Sequence, residues 1–554
     1  MSILGVLDIA RSGLIASQVA MQVVGQNITN ANTPGYSEQT VTLEPTQPVY
    51  GSPGQVGTGV SADKITRSYD NFIQNETISE LQLLGQYSAE SNSLSSIQNV
   101  FNDSNGDGIS NAMSSFFSSL QDLANTPDGA AEREEVSSNA SDLASLIQQG
   151  WNNLQSARVS ADQNIQSDIG QINQDTSQIA GLNVQISQAQ ASGQNPNDLL
   201  DSRDQLLQDL SQKIGISTYS NQQGQLEVLA AGGRALVDGG QSNQLVAMSS
   251  SDEPGFTNVG FSTGSGQTVD ITGDIQSGDL GGQLNVRDSV IPGFQGNLDQ
   301  LAGTLTKEFN SLNSSGYGLD GSTGQDFFSP LTPQVTTGNN QGNMTLTPEP
   351  ITDYSGLSLD SYNIKFTDAN TFDISDETTG AVVASNVSFT PGMEIDVGGM
   401  QLTSGGMPAA GDEFTVSAAE NAAENIGLSQ AVQSSDSAIA AAQSSAALPG
   451  DNSNAQAMAA LQNSPTVGGK YTFSDYYSSI VDSVGEAVSS ASSMQDYHQT
   501  QVNNLNAQQQ QVSGVSLDEE MTNLITYQRA YDAAAKLVSV SDEMMQDIVN
   551  MVVE

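Results

Sequence analysis

The sequence predicts a multidomain α plus β protein: paired terminal coiled-coil helices, a helical-bundle domain, and one or two inserted all-β outer domains. Three observations predict it. Apolar residues recur at alternating steps of three and four at both ends of the chain. A Gly-, Thr-, Val- and Asp-rich texture with short alternating runs fills the middle. Helical patterning then returns, so the β part reads as an excursion from a helical frame. The 554 residues suffice for several domains and more than one core.

The first element is a helix whose seam runs Ile3, Leu7, Ala10, Leu14, Ser17, Met21, Val24, Ile28, Ala31. Such a stripe does not close on itself and needs a partner helix. The stretch "NITNANTPGY", residues 27–36, stops it. Pro34 and Gly35 are turn residues, and the residue before a proline is biased away from helix. A helical zone follows over 72–212, with Trp151 and Leu154 ahead of a seam at Ile165, Ile169, Ile172, Ile179 and Ile186. Within it "NPNDLLDSRDQLLQDLSQKIGI" (195–216) reads as a capped helix, with Asn197 or Asp198 as the cap.

From about 217 to 420, runs such as "YNIKF" and "EFTVS" between Gly and Asn turns predict strands. Residues 430–465 are Ala/Ser-rich and return to helix around a Pro-Gly break. Residues 473–512 predict a solvated bundle helix with Tyr477, Ile480, Val484, Ala487, Ala491, Met494 and Leu505 inward. The last helix begins near Ser516, with Asp518, Glu519 and Glu520 suiting its dipole. Its ladder is Leu517, Leu524, Tyr527, Tyr531, Ala534, Val538, Ser541, Met545, Ile548, Val552, widened by Leu537, Met544 and Met551. The expected division is 1–60 with 513–554 as the terminal coiled coil and 61–212 with 425–512 as the bundle. Residues 213–424 form the β part, as one unit or split into 213–345 and 346–424. Periodicity alone favours an antiparallel pair of the two terminal helices within one chain over an assembly coiled coil between chains.

Composition narrows function. The net charge is −48, from 14 basic and 62 acidic residues. That excludes nucleic acid, which needs clustered Lys and Arg, and an anionic membrane surface. No apolar run approaches the roughly 18 residues of a membrane span, so no membrane insertion is expected. The N-terminus lacks a basic region, and Asp8 and Arg11 interrupt its apolar part, so no cleaved signal peptide is expected. There is no Cys, and His498 is the one histidine, placed on a helical seam as an ordinary packed residue. Cysteine metal sites, HExxH centres and nucleotide-binding glycine loops are missing, so neither enzyme chemistry nor a cofactor or metal is expected. Asp103, Asn105, Asp107 and Gly108 imitate the front of a calcium loop. Its twelfth place holds Ser114 rather than Glu, which favours a polar turn capping the next helix.

The motif "NITNANTPGY" resembles the N-terminal signature of the flagellar axial proteins, the rod, hook and hook-associated family. The far end, "SGVSLDEEMTNLITYQRAYDAAAKLVS" (513–539), is similar to that family's C-terminal helix. The segments 195–216 and 288–328, "YNIKFTDANTFDISDETTGAVVASNVSF" and "TFSDYYSSIVDSVG" resemble the first of the two classes of hook–filament junction protein. The resemblance implies an extracellular structural subunit, exported through the flagellar type III apparatus without cleavage. Its implied partners are copies of itself in a ring, the hook protein, the second hook–filament junction protein, and an export chaperone on the C-terminal helix. The expected assembly residues are Leu7, Leu14, Met21, Val24, Ile28, Asn32, Pro34, Gly35 and Tyr36 at one end. At the other they are Leu517, Leu524, Tyr527, Tyr531, Val538, Met545, Ile548 and Val552. Another axial position, or an outward-facing adhesin on a flagellar frame, is the alternative.

Overall fold

The computed structural model describes residues 3–51, 54–101, 106, 108–221, 225–250, 253–263 and 266–553, without the side chains of 51, 552 and 553. Helix α1 (Ile3–Asn30) is followed by an antiparallel hairpin of strands Gln39–Pro45 and Val60–Arg67. Four helices come next: α2 (Asn71–Gln98), α3 (Ile109–Asn125), α4 (Ala130–Ala191) and α5 (Asn197–Lys213). After a set of strands, α6 (Gly278–Asn285) and α7 (Ile291–Ser315) return to the bundle. A second set of strands precedes the short α8 (Ala422–Asn425), α9 (Gln430–Ser434) and α10 (Ser453–Ala460). The long α11 (Phe473–Ser513) and α12 (Leu517–Val553) complete the described chain.

The bundle is built on α4, whose 62 residues span about 93 Å at 1.5 Å per residue. One end of α4 packs Val136, Leu143 and Ile147 into a core shared with α3 and α7. There Phe116, Phe117, Phe309, Phe327 and Phe328 form a ring cluster with centroids 4.8–6.3 Å apart. The other end of α4 presents Ile165, Ile169, Ile172 and Ile179 to two small antiparallel sheets from residues 217–270. Helix α11 lies antiparallel along α2. His498 is buried there, its Nδ1 2.7 Å from Glu80 and its ring stacked on Tyr87.

Beyond the bundle stands a β-sandwich. Its five-stranded sheet has the order Gln334–Thr337, Glu413–Ser417, Tyr362–Asp368, Thr371–Asp376, Val382–Ser388, all antiparallel. The facing sheet pairs Met400–Gly405 with Thr345–Pro348 and Glu394–Val397. Burial alternates along the strands, so Ile364, Phe366, Phe414 and Val416 meet Ile395, Val397, Met400 and Leu402 inside.

Five expectations need correction, the first being Met494, expected inward on α11 but 43% exposed. The 213–424 stretch is not all β, because α6 and α7 lie within it and are among the most buried helices of the bundle. Neither Asn197 nor Asp198 caps α5: the helix starts at Asn197 after Pro196, and both side chains reach elsewhere. Residues 430–465 are short turns and helical pieces rather than a helix. Finally, α1 is by length and composition long and apolar enough to cross a membrane. In the structure α1 instead lies against α12 and the hairpin. The calcium-like residues Asp103, Asn105 and Asp107 fall outside the described residues.

Candidate assembly interface

Helices α1 and α12 pair antiparallel within the chain. A Cβ built on Gly13 would stand 3.6 Å from the Cβ of Ala534, and Asn27 lies beside Glu520, so the two numberings run in opposite directions. The ladder expected on α12 faces α1. Glu520, Ala534 and Ser541 are buried there, and Leu524, Tyr527, Val538 and Met545 are half-buried. On α1, Val24 is buried and Leu7, Leu14, Met21 and Ile28 are half-buried. Leu517, Tyr531 and Ile548 remain exposed, and the side chain of Val552 is outside the described residues. In-chain pairing therefore uses most of the predicted seam.

A second ladder is left open. Ala530, Ala533, Leu537, Val540, Met544, Ile548 and Met551 also recur at steps of three and four, and all are exposed. At about 100° per residue this stripe is turned by roughly a third of the circumference from the one on α1. Upstream, Met521 (56% exposed) and Ile525 are exposed apolar residues on a different face of the helix. Met551 reaches 73% and Met544 48% exposure. On α1, Leu4 and Ile15 are exposed as well. An exposed apolar surface of this length makes α12 a candidate contact face.

The base of the pair is a polar joint. Asn27 is 1% exposed. Its amide donates to the Gln39 carbonyl (2.9 Å), while its oxygen accepts from the Gln39 N–H (3.0 Å) and the Tyr36 hydroxyl (2.8 Å). Ser37 donates its N–H and hydroxyl to Asp201 at 3.0 and 2.8 Å, and Gln39 donates to Asp198 at 2.8 Å. Arg67, at the end of the hairpin, bridges Asp201 and Asp204 at 2.6 Å each and stacks on Tyr69. Asn197 donates to the Gln39 side chain and the Ile65 carbonyl, both at 3.2 Å. Thus "NITNANTPGY" ends the helix, and Ser37 and Gln39 just after it tie the chain to α5. Gly35 is required there: its φ of +78° is left-handed, and a Cβ would crowd Gln205 at 3.2 Å.

Burial shapes the ionisation of the joint. It pushes the Tyr36 hydroxyl well up, helped by Asp198 and Asp201. It raises the Glu520 carboxyl against the opposing amides of Asn27 and Asn523. Glu38 is also raised, by burial first and then by Glu520 and Glu519.

Asn32, Pro34 and Gly35 are exposed and Tyr36 is half-buried. Pro34, Gly35 and Tyr36, but not Asn32, wall an open groove of about 760 Å³ against Leu182, Gln185 and Leu206. Sequence reasoning missed Gln39, Arg67 and Asp201, and took Asp198 for a helix cap and Asn27 only as part of the stop motif. Their partners lie up to 164 residues away, and the one available signal was Arg67, a cation spent at a strand end in a chain that has few.

Comparison with known proteins agrees along the chain. The family described as "Flagellar hook-associated protein FlgK helical domain" matches residues 94–328. "Flagella basal body rod protein" matches 7–36, and "Flagellar basal body rod FlgEFG protein C-terminal" matches 508–551. Flagellar hook-associated protein 1 of Escherichia coli K12 is 31% identical over 98% of each chain. Its counterpart from Salmonella typhimurium LT2 is 32% identical over 98% of this chain and 99% of its own. The structure of the flagellar hook junction protein FlgK from Burkholderia pseudomallei matches with a TM-score of 0.69 at 24% identity. It covers 79% of this chain and 100% of that one, a likeness of fold.

Proposed function

This chain belongs to the flagellar hook-associated protein 1 family, and from that premise we propose that it is a structural subunit at the junction between hook and filament, assembled through α1 and α12. The observation that carries the reading is the open ladder of α12, from Ala530 to Met551. The in-chain pair consumes one seam and leaves the other, so each subunit brings a preformed two-helix unit with an uncovered face. Continuous ladders suit tube-like packing because contact runs along the shaft.

The expected assembly set is redistributed accordingly. Leu524, Tyr527, Val538 and Met545 hold α12 on α1, whereas Leu537, Val540, Met544 and Ile548 meet neighbouring copies. The terminal pair (1–60 with 513–554) forms the inner unit, the bundle including α6 and α7 surrounds it, and the sandwich faces outward. Neighbours in this reading are further copies, the hook protein and the second junction protein. An export chaperone covers the C-terminal helix beforehand, since an exposed apolar stripe invites early association. Passage through the flagellar type III apparatus without cleavage and an extracellular destination belong to the same reading, as does a purely structural role without catalysis.

The test is removal of residues 517–554 in a motile host. The truncated protein is expected to keep its sandwich folded, lose chaperone binding and fail to join the hook tip, leaving hooks without filaments. Incorporation of the truncated chain at the hook tip would refute the terminal-helix account.

A further inference from the structure

Sulfur is unevenly placed in this chain. There is no cysteine, so the 14 methionines hold all of it. Met113, Met400 and Met458 are shut inside the core, with no exposed surface. Among the described residues, five methionines are exposed: Met407 just past the strand Met400–Gly405, Met494 on α11, and Met521, Met544 and Met551 on α12. Met544 and Met551 stand one heptad apart, within about 20° of each other around the helix, on the open ladder with Leu537, Val540 and Ile548. Met521 is turned from Met544 by about 140°. Met545, one residue along, is half-buried against α1, and Met21 of α1 is half-buried too. Two of the last three ladder positions are therefore thioethers, where leucine would supply a similar apolar volume.

We propose that Met544 and Met551 are oxidation sites whose conversion to sulfoxides turns off the copy-to-copy contact of α12, a modification that rests on the assembly role given above. The oxidant is a peroxide. A lone pair on the thioether sulfur attacks one oxygen of hydrogen peroxide. An S–O bond forms as the O–O bond breaks, sulfur gives up two electrons, and the departing hydroxide takes the proton of the transferred oxygen and leaves as water. The product is polar where the thioether was apolar, and burying it in a dry seam without a donor is costly. The ladder supplies no such donor, since Leu537, Val540 and Ile548 beside the two methionines have hydrocarbon side chains. Core methionines are shielded by the fold, and packing of neighbouring copies shields the ladder in turn, so vulnerability is confined to the subunit before it assembles. The α1–α12 pair reacts more slowly, because Met21 and Met545 are partly covered. Two thiols reverse the step, removing the oxygen as water and ending as a disulfide.

The full chain is treated with graded hydrogen peroxide, each methionine is followed by peptide mass mapping, and self-association is followed by sedimentation. Met544 and Met551 are expected to oxidise at least about tenfold faster than Met113, Met400 and Met458. The oxidised chain should associate about tenfold more weakly or worse, with the exchange protection of α1 unchanged. Met544→Leu combined with Met551→Leu keeps the apolar surface and should make association indifferent to peroxide, although Met407, Met494 and Met521 still oxidise. Methionine sulfoxide reductase with dithiothreitol should restore association to the oxidised natural chain. A double variant that still loses association on oxidation, or a natural chain that keeps it with both sulfoxides formed, overturns the proposal. Leu537→Asp in the unoxidised chain separates the two levels. If it leaves association intact, or if the natural chain does not associate, the assembly role fails and the oxidation sites with it. If it abolishes association while sulfoxide formation does not, the oxidation sites alone fail.

Discussion

In the sandwich, Phe372, Phe389 and Phe414 are buried around the buried Phe366, their ring centroids 5.3–6.1 Å from its own. Along α12, Leu537, Met544, Ile548 and Met551 recur just as regularly, yet all stand open to solvent. One region is buried within the chain, its core continuous with that of the bundle. The other is half covered by the chain and leaves the remainder for a second molecule. Regular apolar spacing shows that a face is to be buried, but not by whom. The sharpest way to break the contrast is Phe366→Ala. Removing a fully buried ring should cost about 3–5 kcal/mol and unfold the sandwich at lower denaturant, measured by urea titration. A loss below about 1 kcal/mol would mean that the sandwich core is not packed as described.

Proton linkage gives the next largest effect. Asp168 of α4 is pushed up to about 6, by burial first and then by Asp279, against the opposing Lys213. A carboxyl whose folded value is raised contributes stability that is present at low pH and lost as pH climbs through the folded value. Stability should therefore fall between about pH 4 and pH 7, by at most about 3 kcal/mol from this group at 1.4 kcal/mol per unit. The raised carboxyls of Glu38 and Glu520 act in the same direction at the terminal joint. Asp168→Asn should flatten the urea-midpoint profile over that window. A profile that rises with pH would reverse the sign and reject the burial argument.

The joint supplies a test of intermediate size. Asn27→Ala leaves the Gln39 backbone groups and the Tyr36 hydroxyl without their partner, which should cost about 1–3 kcal/mol. Exchange protection should drop first along α1 and Gln39, ahead of the bundle. Uniform loss across the chain would mean that the joint is not a separable unit.

These regions also differ in how far the sequence could be read. The terminal ladders and Ile165–Ile186 were legible because a 3–4 period survives any context, and "YNIKF" and "EFTVS" because alternation matches a half-buried sheet. Helices α6 and α7 were missed for a physical reason. Gly278, Gly281 and Gly282 look like turn residues, but Gly282 is a contact residue: a Cβ there would stand 2.4 Å from the Gln86 carbonyl of α2. Glycine serves close helix packing at that point, and composition cannot distinguish this use from a loop. The Arg67–Asp201–Asp204 network was hidden because its halves come from opposite ends of a long stretch of chain. The open ladder of α12 was partly visible as a widened stripe, but which of its two faces the chain keeps for itself depends on α1.

The smallest expected effect discriminates most finely between the two regions. Met544 is 48% exposed on the open ladder. Met544→Ala should change the stability of the isolated chain by no more than about 0.5 kcal/mol, as for a surface substitution away from any packed feature. Met545, one residue along and turned toward α1, is half-buried, and its replacement by Ala should loosen the terminal pair measurably in the isolated chain. In self-association followed by sedimentation the order should invert, with Met544→Ala weakening assembly more than Met545→Ala does. Adjacent methionines on one helix would then report the inner and outer contacts separately. Equal effects of the two substitutions on both measurements would show that α12 has one functional face rather than two.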